Sequence, residues 1–292
     1  MKILTFDIEE WYLEKMYFGD HQKRYAEYDR YLNSILDVLD ERGFKGTFFC
    51  VGGMGKDFPD VIHRIDTRGH EIGCHSYKHT WLNKMSREEA LKDTRMAVDA
   101  LEQCIGKKVR SYRAPAFSIG KTNKWAFEVL AECGITRDAS VFPAERDFGG
   151  FPEFGHKHPT IIRINGFNIK EYPICTIKFF GKELAYSGGG YFRFFPLNIV
   201  KKEFAKSSYN MTYFHIGDLI SLIPNVMSKE EYEAYFRQPG SFKNRYIRYI
   251  KSNLGSKGAF DKLIKLIKKE DFVNLERADN MIDWQQAPSV TL

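Results

Sequence analysis

The stretch Gly69-His70-Glu71-Ile72-Gly73-Cys74-His75-Ser76-Tyr77-Lys78-His79 sends a short apolar run, Ile72 to Cys74, into His75 and, four residues later, into His79. Imidazoles at that spacing meet on one face of a helical turn or fold round a tight loop. Either arrangement lets two neutral ring nitrogens share one cation. A zinc-type site asks for such nitrogens plus a carboxylate, with one coordination position left open. The pair alone decides little, because histidine is also common on surfaces and as a hydrogen-bonded core residue. The elements on either side carry the decision.

Upstream, Ile3, Leu4 and Phe6 mark a buried strand over residues 2–7, which ends in Asp7-Ile8-Glu9-Glu10-Trp11-Tyr12. In extended chain Asp7 and Glu9 point the same way. The first turn of a helix, where acids are favoured, accounts for the cluster equally well. Leu32, Ile35, Leu36 and Leu39 follow i, i+3, i+4, i+7 and predict an amphipathic helix over residues 29–42, closed by Gly43. Residues 46–51 read as a strand and 57–68 as a helix. Downstream, Ser86-Arg87-Glu88-Glu89 is a capping box opening a long helix whose inward face is Ala90, Leu91, Thr94, Ala97, Val98 and Leu101. Residues 109–113 read as a strand stopped at Ala114-Pro115, residues 122–133 as a helix, and 135–140 as a strand carrying Asp138.

Strand and helix thus alternate about five times in the first 140 residues, which predicts parallel strands with helical crossovers. In such folds the chemistry sits at the carboxyl ends of the strands. Asp7, Glu9, His75, His79, Arg113 and Asp138 all fall there. Residues 141–195 are richer in Gly, Phe and Tyr, with short β segments at 160–164 and 170–174. Ser187-Gly188-Gly189-Gly190 runs into Tyr191-Phe192-Arg193-Phe194-Phe195 and lacks the Gly-Lys-Ser/Thr of a phosphate loop. A helix over 196–206 leads to a strand over 211–215 that ends in His215. Further helices are predicted over 229–237 and 260–269. In the last, Phe260, Leu263, Ile264, Leu266 and Ile267 alternate with Lys262, Lys265, Lys268 and Lys269. It reads first as a closing helix packed on the fold and second as a contact with an anionic membrane surface. With no repeat and no low-complexity linker, the expectation is a single domain over 1–292, with a core over 2–218 and a helical closing segment over 219–292.

Composition fits this frame. The chain has 292 residues, 43% hydrophobic and 15% aromatic, enough for a substantial core. Its net charge of +6 is mild and does not imply nucleic acid. Cys50, Cys74, Cys104, Cys133 and Cys175 form no CxxC pair and read as thiols in a reducing compartment. The first residues enter a strand directly, without the apolar segment of a signal peptide, and no run of about 18 apolar residues offers a membrane span. A cytoplasmic location is the expectation.

The ordered set resembles the polysaccharide deacetylases, the NodB-homology group of family 4 carbohydrate esterases. Thr5-Phe6-Asp7 resembles that family's Thr-Phe-Asp-Asp motif, with Ile8 in place of the second Asp and Glu9 following. His75-Ser76-Tyr77-Lys78-His79 matches its His-Ser-x-x-His motif, and Arg113-Ala114-Pro115 its Arg-x-Pro segment. Asp138 matches an Asp after a strand, and His215 a strand-end histidine, here followed by Ile216-Gly217. The resemblance covers roughly residues 2–218 and implies a distorted (β/α)7-type barrel. It also implies metal-dependent removal of an acetyl group from an N-acetylated sugar.

By that resemblance a divalent ion, zinc foremost, with cobalt, nickel, manganese and magnesium as the other candidates, sits on His75, His79 and a carboxylate. Glu9 is assigned as that carboxylate because it shares the face of Asp7, with Glu10 as the alternative. Asp7 would be the general base, held in place by Arg113. His215 would be the general acid for the departing amine, its cation favoured by an acid such as Asp138. The substrate expected is a nucleotide- or lipid-linked amino sugar of surface polysaccharide synthesis, losing acetyl or formyl. The alternatives are an allantoinase-like enzyme acting on a non-sugar amide, and a catalytically inactive carbohydrate-binding homologue.

Overall fold

Short apolar runs bounded by glycine or polar residues become strands at nearly every predicted place. The structure, a computed structural model, describes residues 1–292 apart from 20, 21, 147, 221–224 and 237, and only the backbone of 18 and 22. Its strands are β1 (Lys2–Ile3), β2 (Thr5–Ile8), β3 (Thr47–Cys50), β4 (Glu71–Cys74), β5 (Ser111–Tyr112), β6 (Arg137–Asp138) and β7 (Thr160–Ile164). They continue with β8 (Phe167–Glu171), β9 (Thr176–Phe179), β10 (Lys182–Ala185), β11 (Asn210–Met211), β12 (Phe214–His215) and β13 (Ser289–Thr291).

The main sheet runs β12-β2-β3-β4-β5-β6-β8-β7-β13, and every pair from β12 to β8 is parallel. These seven parallel strands, with helical crossovers, give the α/β fold of the (β/α)7 type. The hairpin of β8 with the antiparallel β7 extends one edge. Between β8 and β12 no backbone ladder closes the ring among the described residues. Polar bridges span that seam instead: the Met211 N–H reaches Cys175 Sγ at 3.2 Å, and the Tyr209 hydroxyl donates to the Pro173 carbonyl at 2.8 Å. Pro173, at the end of the β8 segment, has no N–H to offer a ladder.

The first strand is interrupted at Leu4, whose N–H turns to Val273 O, while β1 pairs with β11 and β2 with β12. Side chains fill the interruption. Thr5 N–H donates to Thr212 Oγ1, the Thr5 hydroxyl donates to Thr212 O, and the Thr212 hydroxyl donates to Ile3 O. Two threonines therefore replace ladder bonds at the point where Asp7 and His215 must come into register, and those two are cross-strand partners.

Helices follow the apolar periodicity. Gln22–Arg42 is longer than predicted at its N-terminus, and it buries Leu32, Ile35, Leu36 and Leu39 completely. Arg87–Ile105 begins at the predicted capping box and ends on Gly106 in the left-handed conformation. The expected helix over 57–68 is two pieces, Met54–Asp57 and Pro59–Thr67, because Pro59 starts a new first turn. The predicted helix over 229–237 is seen as Lys229–Phe236, and residue 237 lies outside the described residues. The glycine stretch is helical from Gly189 to Phe194 rather than an open loop.

The basic helix Ala259–Lys269 buries Leu263, Leu266 and Ile267 completely and sets Phe260 edge-to-face with Tyr31, ring centroids 4.7 Å apart. Lys262 Nζ donates to the carbonyls of Phe192, Arg193 and Phe195. Its apolar face packs on the core, as the first reading of this helix, a closing helix, has it. The cysteines are all free thiols, with Cys50, Cys74 and Cys175 buried. No described helix is long and apolar enough to cross a membrane.

Candidate active site

Asp7 is the third of the four residues of β2 and is 1% exposed. The chain then turns at Glu9 (φ −134°, ψ −20°) into the short helix Glu10–Leu13. The expected shared strand face of Asp7 and Glu9 is therefore replaced by a helix cap. The turn itself carries the Glu9 carboxylate across to the histidines. His75 follows β4, and the next residues form a tight loop rather than a helical turn, with positive φ at Ser76 (63°) and His79 (59°). Left-handed backbone at non-glycine residues persists only where the surroundings enforce it. Here Gly52 N–H binds Ser76 O at 2.8 Å, Gly53 N–H binds Tyr77 O at 2.9 Å, and Tyr77 N–H binds Asp93 Oδ2 at 2.9 Å. Gly73, at the third position of β4, is required by close approach: a Cβ there would lie 2.5 Å from the Phe49 ring.

Glu9, His75 and His79 place one ligand atom each within 4.8 Å of one another, the only such trio found among the described residues. Glu9 Oε2 lies 2.7 Å from His79 Nε2 and 3.4 Å from His75 Nε2. His75 Nδ1 bonds the Arg113 carbonyl at 2.7 Å. That bond fixes Nδ1 as the donor and turns the Nε2 lone pair toward Glu9. His75 Nε2 and Glu9 Oε2 are both buried and make no hydrogen bond. Two acceptors facing each other without a donor are costly unless a cation stands between them. This donor set, two imidazoles and one carboxylate, fits a divalent ion of the zinc class. Burial by itself would raise Glu9, but the charges of His79 and His215 hold it well below the usual carboxylate range.

Beside this trio stands an acid-base pair. Arg113, fully buried, donates from Nη1 to Asp7 Oδ1 at 2.8 Å and to Thr5 Oγ1 at 2.7 Å, and from Nε to Ala139 O at 3.2 Å. Its guanidinium lies over the Phe49 ring at 4.3 Å. The other Asp7 oxygen faces His215 Nε2 at 3.4 Å. His215 Nδ1 is bound to Asp218 Oδ2 at 2.9 Å. Burial opposes a charged His215, yet Glu9, the Asp218 hydrogen bond and charge, and Asp7 hold it well above the ordinary histidine range.

The acid expected beside His215 was Asp138; the structure puts Asp218 there. Asp138 accepts from the Ser140 hydroxyl at 2.6 Å and is the cross-strand partner of Glu171. Both are fully buried, and desolvation raises both, Glu171 further through the neighbouring Asp138 charge. Asp138 thus belongs to the layer behind Arg113. Asp218 escaped notice because it lies outside every motif, although its position three residues beyond His215 is the spacing of one helical turn. Glu10 is also placed away from the trio. Its Oε1 accepts the Gly217 N–H at 2.6 Å, and burial and the Glu9 charge push it up to about 7. Of the two carboxylates weighed for the histidine trio, Glu9 is the one that reaches it.

A polysaccharide deacetylase profile matches residues 3–137, and a domain of unknown function, DUF3473, matches residues 139–279. A peptidoglycan-N-acetylglucosamine deacetylase of Bacillus cereus is 34% identical over 95 residues, 32% of this chain and 34% of that protein. A chitin deacetylase of Pestalotiopsis sp is 33% identical over 107 residues, 36% of this chain and 35% of that protein. The chain spans about a third of the length of these curated relatives. A crystal structure from Mycobacterium smegmatis, assigned to the polysaccharide deacetylases, superposes with TM-score 0.63 at 19% identity, over 99% of this chain and 92% of its own. That likeness covers the whole fold, including the second matched segment.

Proposed function

We propose that this chain, whose residues 3–137 match the polysaccharide deacetylase family model, is a hydrolase that removes the N-acetyl group from an amino sugar. The observation that carries the reading is the juxtaposition of Glu9, His75 and His79 with Asp7–Arg113 on one side and His215–Asp218 on the other. Glu9, His75 and His79 would hold a divalent ion, which would supply Lewis acidity to polarise a carbonyl oxygen and acidify water.

The chain's own groups do the rest. Arg113 anchors one Asp7 oxygen and leaves the other facing the site, where it accepts the proton of the attacking water. His215, oriented by Asp218, gives a proton to the departing amine nitrogen. The low exposure of Asp7 and Arg113 keeps both charges out of bulk water, where they act on each other more strongly. Apart from these residues, a groove of about 330 Å³ is lined in part by Trp81, Phe148 and Phe236. Trp81 and Phe148 lie 4.9 Å apart, and such rings suit the apolar face of a sugar.

The test is metal content of the purified protein and of His79→Ala, with acetate release from N-acetylated sugar nucleotides and chitooligosaccharides. About one ion per chain, lost in the variant together with acetate release, is the expected outcome. Metal without hydrolysis of any saccharide would refute the substrate class. Absence of metal after reloading with zinc would refute the site.

A further inference from the structure

We propose that the face built from helix Phe242–Asn253 and the β9–β10 hairpin docks on an anionic lipid bilayer. A surface helix ordinarily turns its apolar stripe inward. This one does the opposite. Phe242, Tyr246, Ile250 and the following Leu254 are 66%, 48%, 43% and 58% exposed. Spaced by four, they form one outward ridge. The inward side carries arginines instead: Arg245 donates to Met227 O at 2.9 Å, and Arg248 lies over the Phe236 ring at 4.3 Å.

The β9–β10 turn repeats the anomaly. Its two central residues are Phe180 and Gly181, with φ of 46° and 78°. Such a turn favours Asn-Gly, since both residues need positive φ. Phe180 sits there against backbone preference, and it is 91% exposed. Ring contacts run from Phe180 to Phe179 (4.7 Å), to Phe195 (5.5 Å) and to the exposed Phe194 (5.7 Å). The neighbouring Arg193 then donates to the carbonyls of Lys251 (2.7 Å) and Ser252 (2.6 Å). Hairpin and helix are therefore tied together through Phe195 and Arg193.

Charge selects the occupant. No Asp or Glu occurs between Glu233 and Asp261, and Lys243 and Lys257 are exposed along the ridge. Lys178 and Lys182 flank the hairpin tip and are exposed as well. Apolar side chains rimmed by lysines match the acyl boundary and phosphates of an anionic bilayer. A second copy would present the same positive rim to itself, which disfavours a two-fold contact.

The test is flotation of the full chain with phosphatidylcholine vesicles, with and without phosphatidylglycerol. It uses no substrate, so it stands or falls apart from the deacetylase reading. Binding to the anionic vesicles, weakened by salt, is expected. Lys243→Gln with Lys257→Gln should weaken it about thirtyfold, at about 1 kcal/mol per basic residue. Ile250→Ser with Leu254→Ser should abolish it, and Phe180→Ser should reduce it, with thermal midpoints unchanged. Failure to bind anionic vesicles, or equal binding by the variants, overturns the proposal. So does a concentration-dependent dimer in sedimentation that Ile250→Ser disrupts, since the ridge would then belong to a second copy.

Discussion

Arg113 is the residue on which the candidate site turns. It is fully buried, with its charge answered by Asp7 and its backbone carbonyl holding His75. Arg113→Met would strand a buried carboxylate, which typically costs about 3–5 kcal/mol; a urea titration should show that loss alongside loss of activity. Asp218 makes a subtler prediction. His215 is raised above its unfolded value, so its contribution to stability is complete below about pH 6.5 and disappears as pH rises through the folded value. Asp218→Asn removes part of the support for the imidazolium. The folded value falls, and as a general acid His215 loses its proton sooner. The alkaline limb of the kcat profile should move to lower pH, with the acid limb in place. An unmoved alkaline limb would exclude His215 as the acid. At this scale most of the site is legible in the motifs: Asp7, Glu9, His75, His79, Arg113 and His215 all converge. What the motifs missed is the partner of His215, because Asp218 gains its meaning only from the helix cap that turns it back.

Elements place these residues with backbone devices of different cost. Ser86 caps Arg87–Ile105 by accepting the Glu89 N–H, and Glu89 answers to the Ser86 N–H. Ser86→Ala should cost about 1 kcal/mol in a denaturant titration and leave kcat unchanged, since the cap lies away from the chemistry. Gly188 is different. A Cβ on it would meet the Tyr213 carbonyl at 2.0 Å, two residues before His215. Gly188→Ala should therefore displace the strand end and lower kcat, beyond the about 1–3 kcal/mol of overpacking. Equal kcat in this variant would show that β12 tolerates the shift. Helix and strand positions were legible from periodicity, and the capping box from its spacing. The left-handed turns at Ser76 and His79 were not, because neither residue type announces that conformation.

At the scale of the molecule the two matched segments share one sheet. β6 at the end of the first pairs with β8 of the second, and β2 lies between β3 and β12. The helix Ala259–Lys269 closes on Gln22–Arg42. A chain cut to residues 1–138 would expose both sheet edges and a helix face, and lose His215 and Asp218. It should show no cooperative thermal transition and bind apolar dyes, and co-expression with 139–292 should restore the transition. A cooperative transition in the fragment alone would show that the first segment folds by itself.

The sequence by itself determined the alternation of strands and helices, because apolar period and turn residues are local properties. It also determined which side chains gather at the strand ends, because parallel strands with crossovers direct every carboxyl end to one rim. Only the tertiary structure decided between Glu9 and Glu10, since that choice depends on one turn at the head of a helix. Only it exchanged Asp138 for Asp218 beside His215, and left the apolar ridge of Phe242–Asn253 outside while burying the apolar face of Ala259–Lys269. Both segments are rich in lysine or arginine and in apolar residues, and which one keeps its apolar face outside is set by what packs against it.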